Sequence, residues 1–147
     1  MLAKTAISGL CLAVLLSAAT SDTRLADAAM QGDKDAVRSL AKQKIDINAA
    51  HGDGATALHW AAYNDDLDMV KILLAAGANV KAATRDGAIT PLFMACTNGN
   101  AAMIEALLKA GADRTIRDVN GDSALSWASW HQRPREMIDL LNSAQGL

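Results

Sequence analysis

The chain has 147 residues, with 14 basic against 16 acidic residues and a formal charge of -2, a length that suits one domain. Its Lys and Arg residues are scattered rather than gathered in a stripe, which argues against a nucleic-acid surface. Hydrophobic residues make up 51% but aromatics only 3%, so the core must be built from Ala, Leu, Ile, Val and Met, a set that favours close-packed helices over a sheet sandwich.

In chain order, the first element is a leader. Residues 1–19, MLAKTAISGLCLAVLLSAA, carry Lys4, an apolar run from Ala6 to Leu16, and the small residues Ser17-Ala18-Ala19 where a signal peptidase reads. This is the pattern of a secretory signal peptide. The apolar run is well short of the ~20 residues that span a bilayer, which argues against an anchor. Cys11 sits inside the run behind Leu10, which argues against a lipoprotein. Cleavage after Ala19 removes Cys11 and leaves Cys96 alone, so the mature fold is expected to rest on packing without an internal disulfide. The expected location is the periplasm or the secreted fraction, with no membrane attachment after cleavage.

The stretch Gly52-Asp53-Gly54 with Ala57 has the spacing of a nucleotide-binding turn, but it is not a single occurrence. Leu25, Leu58, Leu92 and Leu125 are spaced by 33, 34 and 33 residues, in the matching frames RLADAAMQGD, ALHWAAYNDD, PLFMACTNGN and ALSWASWHQR. Gly54, Gly87 and Gly121 recur upstream of Thr56, Thr90 and Ser123. A nucleotide loop occurs once per site and follows a strand; this turn recurs at the junctions between repeats and lacks the strand.

Each repeat reads as two helices. Thr56, Thr90 and Ser123 are placed to cap the first helix with their hydroxyls, and Pro91 suits a first helical position. Paired small residues such as Ala61-Ala62 and Ala95-Cys96 let neighbouring helices approach closely, and Cys96 is expected in a small buried slot. Gly32, Asp65 and Gly99 mark left-handed turns between helices. The second helices carry one-sided apolar stripes, Val37/Leu40, Val70/Leu73/Leu74, Ile104/Leu107/Leu108 and Met137/Leu140/Leu141, read as core. Gly77 and Gly111 end two of them. Polar residues at the ends of the array, Asp27, Lys34, Ser39 and Asp139, read as caps. The third repeat has one extra residue, Ala88 or Ile89, which should distort the turn before its first helix.

These residues resemble the ankyrin repeat family, through Thr56-Ala57-Leu58-His59, Thr90-Pro91-Leu92, and the segments LAAGANV and LKAGADR. The resemblance implies an all-α repeat solenoid of about four helix-turn-helix repeats with β-turn or hairpin fingers. Residues 20–147 form this domain, with repeats at about 20–50, 51–83, 84–117 and 118–147. It also implies a protein-interaction module without catalytic residues, cofactor or metal, acting as a monomer that is adaptor, inhibitor or protector of an unidentified protein partner. The alternative is an enzyme or metal-handling protein built on the same scaffold. His59 is expected to bond backbone near the adjacent turn. His51 and His131 are repeats apart, and Asp65, Asp66 and Asp68 read as charges at a helix start.

Carried over by position, the concave binding face comprises finger residues His51, Asp53, Arg85, Asp86, Val119 and Asn120, with Arg117 beside them. It includes Met30, Tyr63 and Trp130 at the ends of first helices. Tyr63 and Trp130 are the expected anchors; Trp60 and Trp127 stand between core and contact. One prediction concerns export: mass spectrometry of the native protein should find a mature start near Thr20. A native chain retaining residues 1–19 overturns the leader.

Overall fold

The computed structural model describes residues 22–131 and 134–143; the leader expected at residues 1–19 lies outside the described residues. Eight helices follow one another among them: α1 (Arg24–Met30), α2 (Lys34–Ala41), α3 (Ala57–Tyr63), α4 (Leu67–Ala75), α5 (Pro91–Asn98), α6 (Ala101–Lys109), α7 (Ala124–Trp130) and α8 (Arg135–Ser143). Odd-numbered helices pack on one another in an inner row and even-numbered helices in an outer row. The two rows close on a single seam of buried side chains. Leu25, Leu58 and Leu92 are fully buried in the inner row, and Val37, Val70, Leu73, Ile104, Leu107, Met137 and Leu141 in the outer. Leu125, at the matching position of α7, is only half-buried. At the array ends Lys34, Ser39 and Asp139 are exposed, as polar caps must be. Met69 and Met103, in the first turns of α4 and α6, are fully buried too; the stripe reading had not included them.

Local chemistry sets the helix boundaries. The outer helices begin at Asp33, Asp66 and Asn100, whose side chains accept from the backbone N–H of Ala36, Met69 and Met103 at 2.9, 3.1 and 3.1 Å. This is the bland role expected of the acidic run, and Lys34 also pairs with Asp66 at 3.0 Å. Helix α4 ends at Gly77, φ 91°. There the N–H groups of Ala78 and Gly77 donate to the carbonyls of Leu73 and Leu74 at 3.0 and 3.1 Å, which satisfies the exposed end of the helix. Asp65 takes the same left-handed turn before α4 at φ 56° without being glycine. Cys96 is fully buried on α5, and burial pushes its thiol up to about 12, far from a reactive thiolate.

The three first-helix caps, expected to be alike, are not. The Thr56 N–H donates to His59 Nδ1 at 3.1 Å, and Thr56 Oγ1 lies 2.9 Å from the same nitrogen. Ser123 Oγ accepts from the Ser126 N–H at 3.2 Å. Thr90 makes no side-chain cap, and its buried Oγ1 has no partner. The reason is the residue three positions on: Phe93 stands where the second repeat has His59 and the fourth has Ser126. Phe93 packs edge-on against Trp127 instead, 5.4 Å between ring centroids. Thr90→Val should therefore leave stability within about 0.5 kcal/mol of the parent or raise it, whereas Thr56→Val should cost about 1 kcal/mol, because only the second removes a satisfied hydroxyl. Urea unfolding of both variants checks this.

Candidate functional site

Three fingers precede α3, α5 and α7. In the second and fourth repeats the finger closes by a single antiparallel bridge, Ala50 with Thr56 and Arg117 with Ser123. The third finger carries the extra residue, and it is Ala88 that absorbs it, at φ 53°. The Thr84 N–H then reaches the Ile89 carbonyl, at 2.9 Å, around a loop one residue longer than its neighbours. The insertion also slips the stitching between fingers. The Arg85 N–H donates to the Asp53 carbonyl at 2.7 Å, while the equivalent Val119 N–H reaches Gly87 at 3.2 Å, one residue beyond the matching position. Gly54 sits where the fingers approach closely: φ is 89°, and a Cβ there would lie 3.0 Å from the Arg85 nitrogen.

The two tryptophans left open by the sequence are structural braces. Trp60 Nε1–H donates to His51 Nδ1 at 3.2 Å, and Trp127 Nε1–H donates to Asp118 Oδ2 at 3.1 Å. His51 and Asp118 occupy the same position at the base of their fingers, so each indole ties an inner helix to the loop before it. In the third repeat Met94 and Thr84 stand at the two positions, and this brace is missing. Because Trp60 donates to Nδ1, the His51 proton is on Nε2, which donates to Asp27 Oδ1 at 3.0 Å. His51 is thus a half-buried link between the first and second repeats, with both ring nitrogens occupied, and not the finger tip expected from the sequence. Burial pushes the Asp118 carboxyl up, but N–H donors from Asp122, Trp127 and Asn120 together outweigh it and hold it below the usual carboxylate range.

The inner helices end in a column of exposed side chains. Met30, Tyr63 and Trp130 are 44%, 56% and 66% exposed at equivalent positions, with Thr97 between the last two. With Val119 at 66%, they are the large apolar side chains most open to solvent among the described residues. Tyr63 leans edge-on against Trp60, 6.0 Å between centroids, which makes the finger base, the indole and the column one continuous surface. Asp53, Arg85, Arg117 and Asn120 are all exposed on the fingers beside it. The two guanidiniums are partly engaged: Arg85 Nη1 donates to the Gly52 carbonyl at 3.1 Å and Arg117 Nη1 to Gly121 at 2.8 Å.

Two asparagines escaped the sequence reading. Asn64 Nδ2 donates to the carbonyls of Ala29 and Met30 at 2.9 and 3.3 Å, and Asn98 Nδ2 to those of Ala62 and Tyr63 at 2.9 and 2.8 Å. Each caps the open end of the preceding inner helix and so fixes the residue bearing the exposed side chain. Their signal was their recurrence after the YN and TN pairs. His59 does bond the adjacent turn: Nε2–H donates to the Ile89 carbonyl at 2.9 Å. Among the described residues no three His, Cys, Asp or Glu side chains are grouped to hold a metal ion, and no helix is long and apolar enough to cross a membrane.

A family model described as ankyrin repeats (many copies) matches residues 25–74 and 59–108. The chain is 38% identical over 126 residues to human BCL-6 corepressor-like protein 1, covering 85% of this chain and 7% of that protein. It is 37% identical over 89 residues to palmitoyltransferase Hip14 of Drosophila melanogaster, covering 60% and 14%. It is 33% identical over 103 residues to mouse protein phosphatase 1 regulatory subunit 27, covering 69% and 66%. The chain therefore spans only a small fraction of the first two proteins.

One prediction follows from His59. Burial lowers its pKa below the ordinary imidazole value, against the opposing pull of the Ile89 bond. Its contribution to stability is thus present above about pH 6.5 and is lost as pH falls through the depressed folded value. Urea midpoints measured between about pH 8 and pH 5 should fall less steeply for His59→Gln than for the parent.

Proposed function

The chain belongs to the ankyrin repeat family, whose repeats are protein-interaction modules, and we propose that it docks one partner protein through the inner-helix column and the fingers beside it. The observation that carries this reading is the column of Met30, Tyr63 and Trp130, exposed at equivalent positions on a rigid stack. A soluble surface rarely lines up apolar side chains without a use for them. The Asn64 and Asn98 caps fix the backbone at Met30 and Tyr63, so these two column positions are preorganised and lose little freedom on binding. Tyr63 and Trp130 are the anchors; Met30 extends the apolar strip; Arg85, Arg117, Asp53 and Asn120 form the polar rim. The signal-peptide pattern of residues 1–19 supports an exported module, which we read as a monomeric adaptor, inhibitor or protector outside the cytoplasm. The corepressor and regulatory-subunit names of two relatives fit a non-catalytic role.

The test begins with intact protein as bait in the exported fraction, followed by calorimetry with the recovered partner. Tyr63→Ala and Trp130→Ala should each weaken binding by about 1–4 kcal/mol, with Arg85→Ala and Arg117→Ala acting mainly on association rate and its salt dependence. Lys71→Ala and Glu105→Ala, exposed on the outer helices, should do little. Loss of binding in the outer-helix variants with retention in the column variants overturns the assignment.

A further inference from the structure

A cavity of about 310 Å³ opens between the second and third fingers. Trp60, Ile89 and Met94 supply apolar wall, and Asp53 and Asp86 supply two carboxylates; no lysine or arginine lines it. Most of one side comes from the enlarged third finger, through Thr84, Asp86, Gly87 and Ile89. The extra residue that sets Ala88 at φ 53° thus shapes a cavity wall. One Asp53 oxygen accepts from the Ala55 N–H at 2.8 Å. Among the described residues no cation is paired with Asp53 or Asp86, and the Asp86 carboxylate has no hydrogen-bond partner. Both carboxylates therefore keep lone pairs for a donor from outside.

We propose that this cavity receives an arginine side chain of the partner protein, with its guanidinium on Asp53 and Asp86 and its methylene stem against Trp60, Ile89 and Met94. The proposal rests on the docking reading above and adds the chemistry of one contact. Charge complementarity selects a cation. The mixture of walls selects arginine among cations: a guanidinium is planar and weakly hydrated, lies against an indole, and has enough donors for two carboxylates at once. The neighbouring cation, Arg85, is turned to the Gly52 carbonyl of the second finger and does not fill this place.

The test uses the full chain and N-acetyl-L-arginine amide as probe, read by the NMR signal of the Trp60 indole N–H, which Trp60→Phe identifies. N-acetyl-L-citrulline amide, the neutral isostere, is run in parallel. The arginine amide should shift that signal saturably and the citrulline amide should not. Asp53→Asn and Asp86→Asn should each weaken the arginine response roughly fivefold, the size expected of a part-exposed ion pair; both preserve side-chain shape. Deleting Ala88 should abolish the response by restoring the shorter finger, and the two isosteric variants carry the test if the deletion disturbs folding. Tyr63→Ala should leave it unchanged. No shift with either amide, equal shifts with both, or an unaltered response in the double Asn variant overturns the proposal. Since the partner is absent from this experiment, a silent cavity beside intact Tyr63-dependent docking sinks this proposal alone.

Discussion

No helix pair in this chain can bury its own apolar face. A unit of two short helices leaves the seam leucines open on both flanks, and helices of seven to nine residues are too short to hold themselves in water. Burial is completed only by the next copy, so the folding energy lives at the junctions between repeats rather than within them. That constraint explains the small residues on the inner row. Ala28, Ala29, Ala61, Ala62, Ala95 and Cys96 are all buried, and anything larger would hold the helices apart and open the seam.

Stacking also settles where polar groups go. Short helices have a high proportion of unsatisfied backbone ends, and this array meets much of that demand from the neighbouring repeat. His59 serves the Ile89 carbonyl, Asn64 and Asn98 serve the ends of α1 and α3, and His51 bridges Trp60 to Asp27. These side chains work between repeats, which is why their consequences extend to the docking face. The side chain presented at the end of an inner helix is held by a residue one repeat later.

The repeat period, the helix pairs, the glycine turns and the buried stripes were legible in the sequence because each follows from a local rule repeated at fixed spacing. The exposed column was legible for the same reason, as one position read down the repeats. What escaped were pairings between residues far apart in the chain. The role of His51 depends on Asp27 and Trp60 at once, and nothing local to His51 reveals it. The capping rule, applied to the hydroxyl alone, expects Thr90 to cap like the other two; Phe93, three positions on, has no polar side-chain atom to meet it and packs on Trp127. The sequence located the third finger's insertion to within two residues, but the cavity beside it depends on how that finger meets the second.

The three junctions are not equivalent. The first two are laced by side-chain bonds across the inner row, from Asn64 and His51, then from Asn98 and His59. At the third, Phe93 and His131 stand where the second and third repeats have His59 and Asn98. That junction carries the Phe93–Trp127 contact, the slipped Val119–Gly87 bond and, on the outer side, Arg114 Nη1 to the Leu141 carbonyl at 3.2 Å. Trp130 is carried by the fourth repeat and Tyr63 by the second. A partner gripping both side chains would therefore act as a clamp across the third repeat, adding its own contacts to those that already hold the stack together.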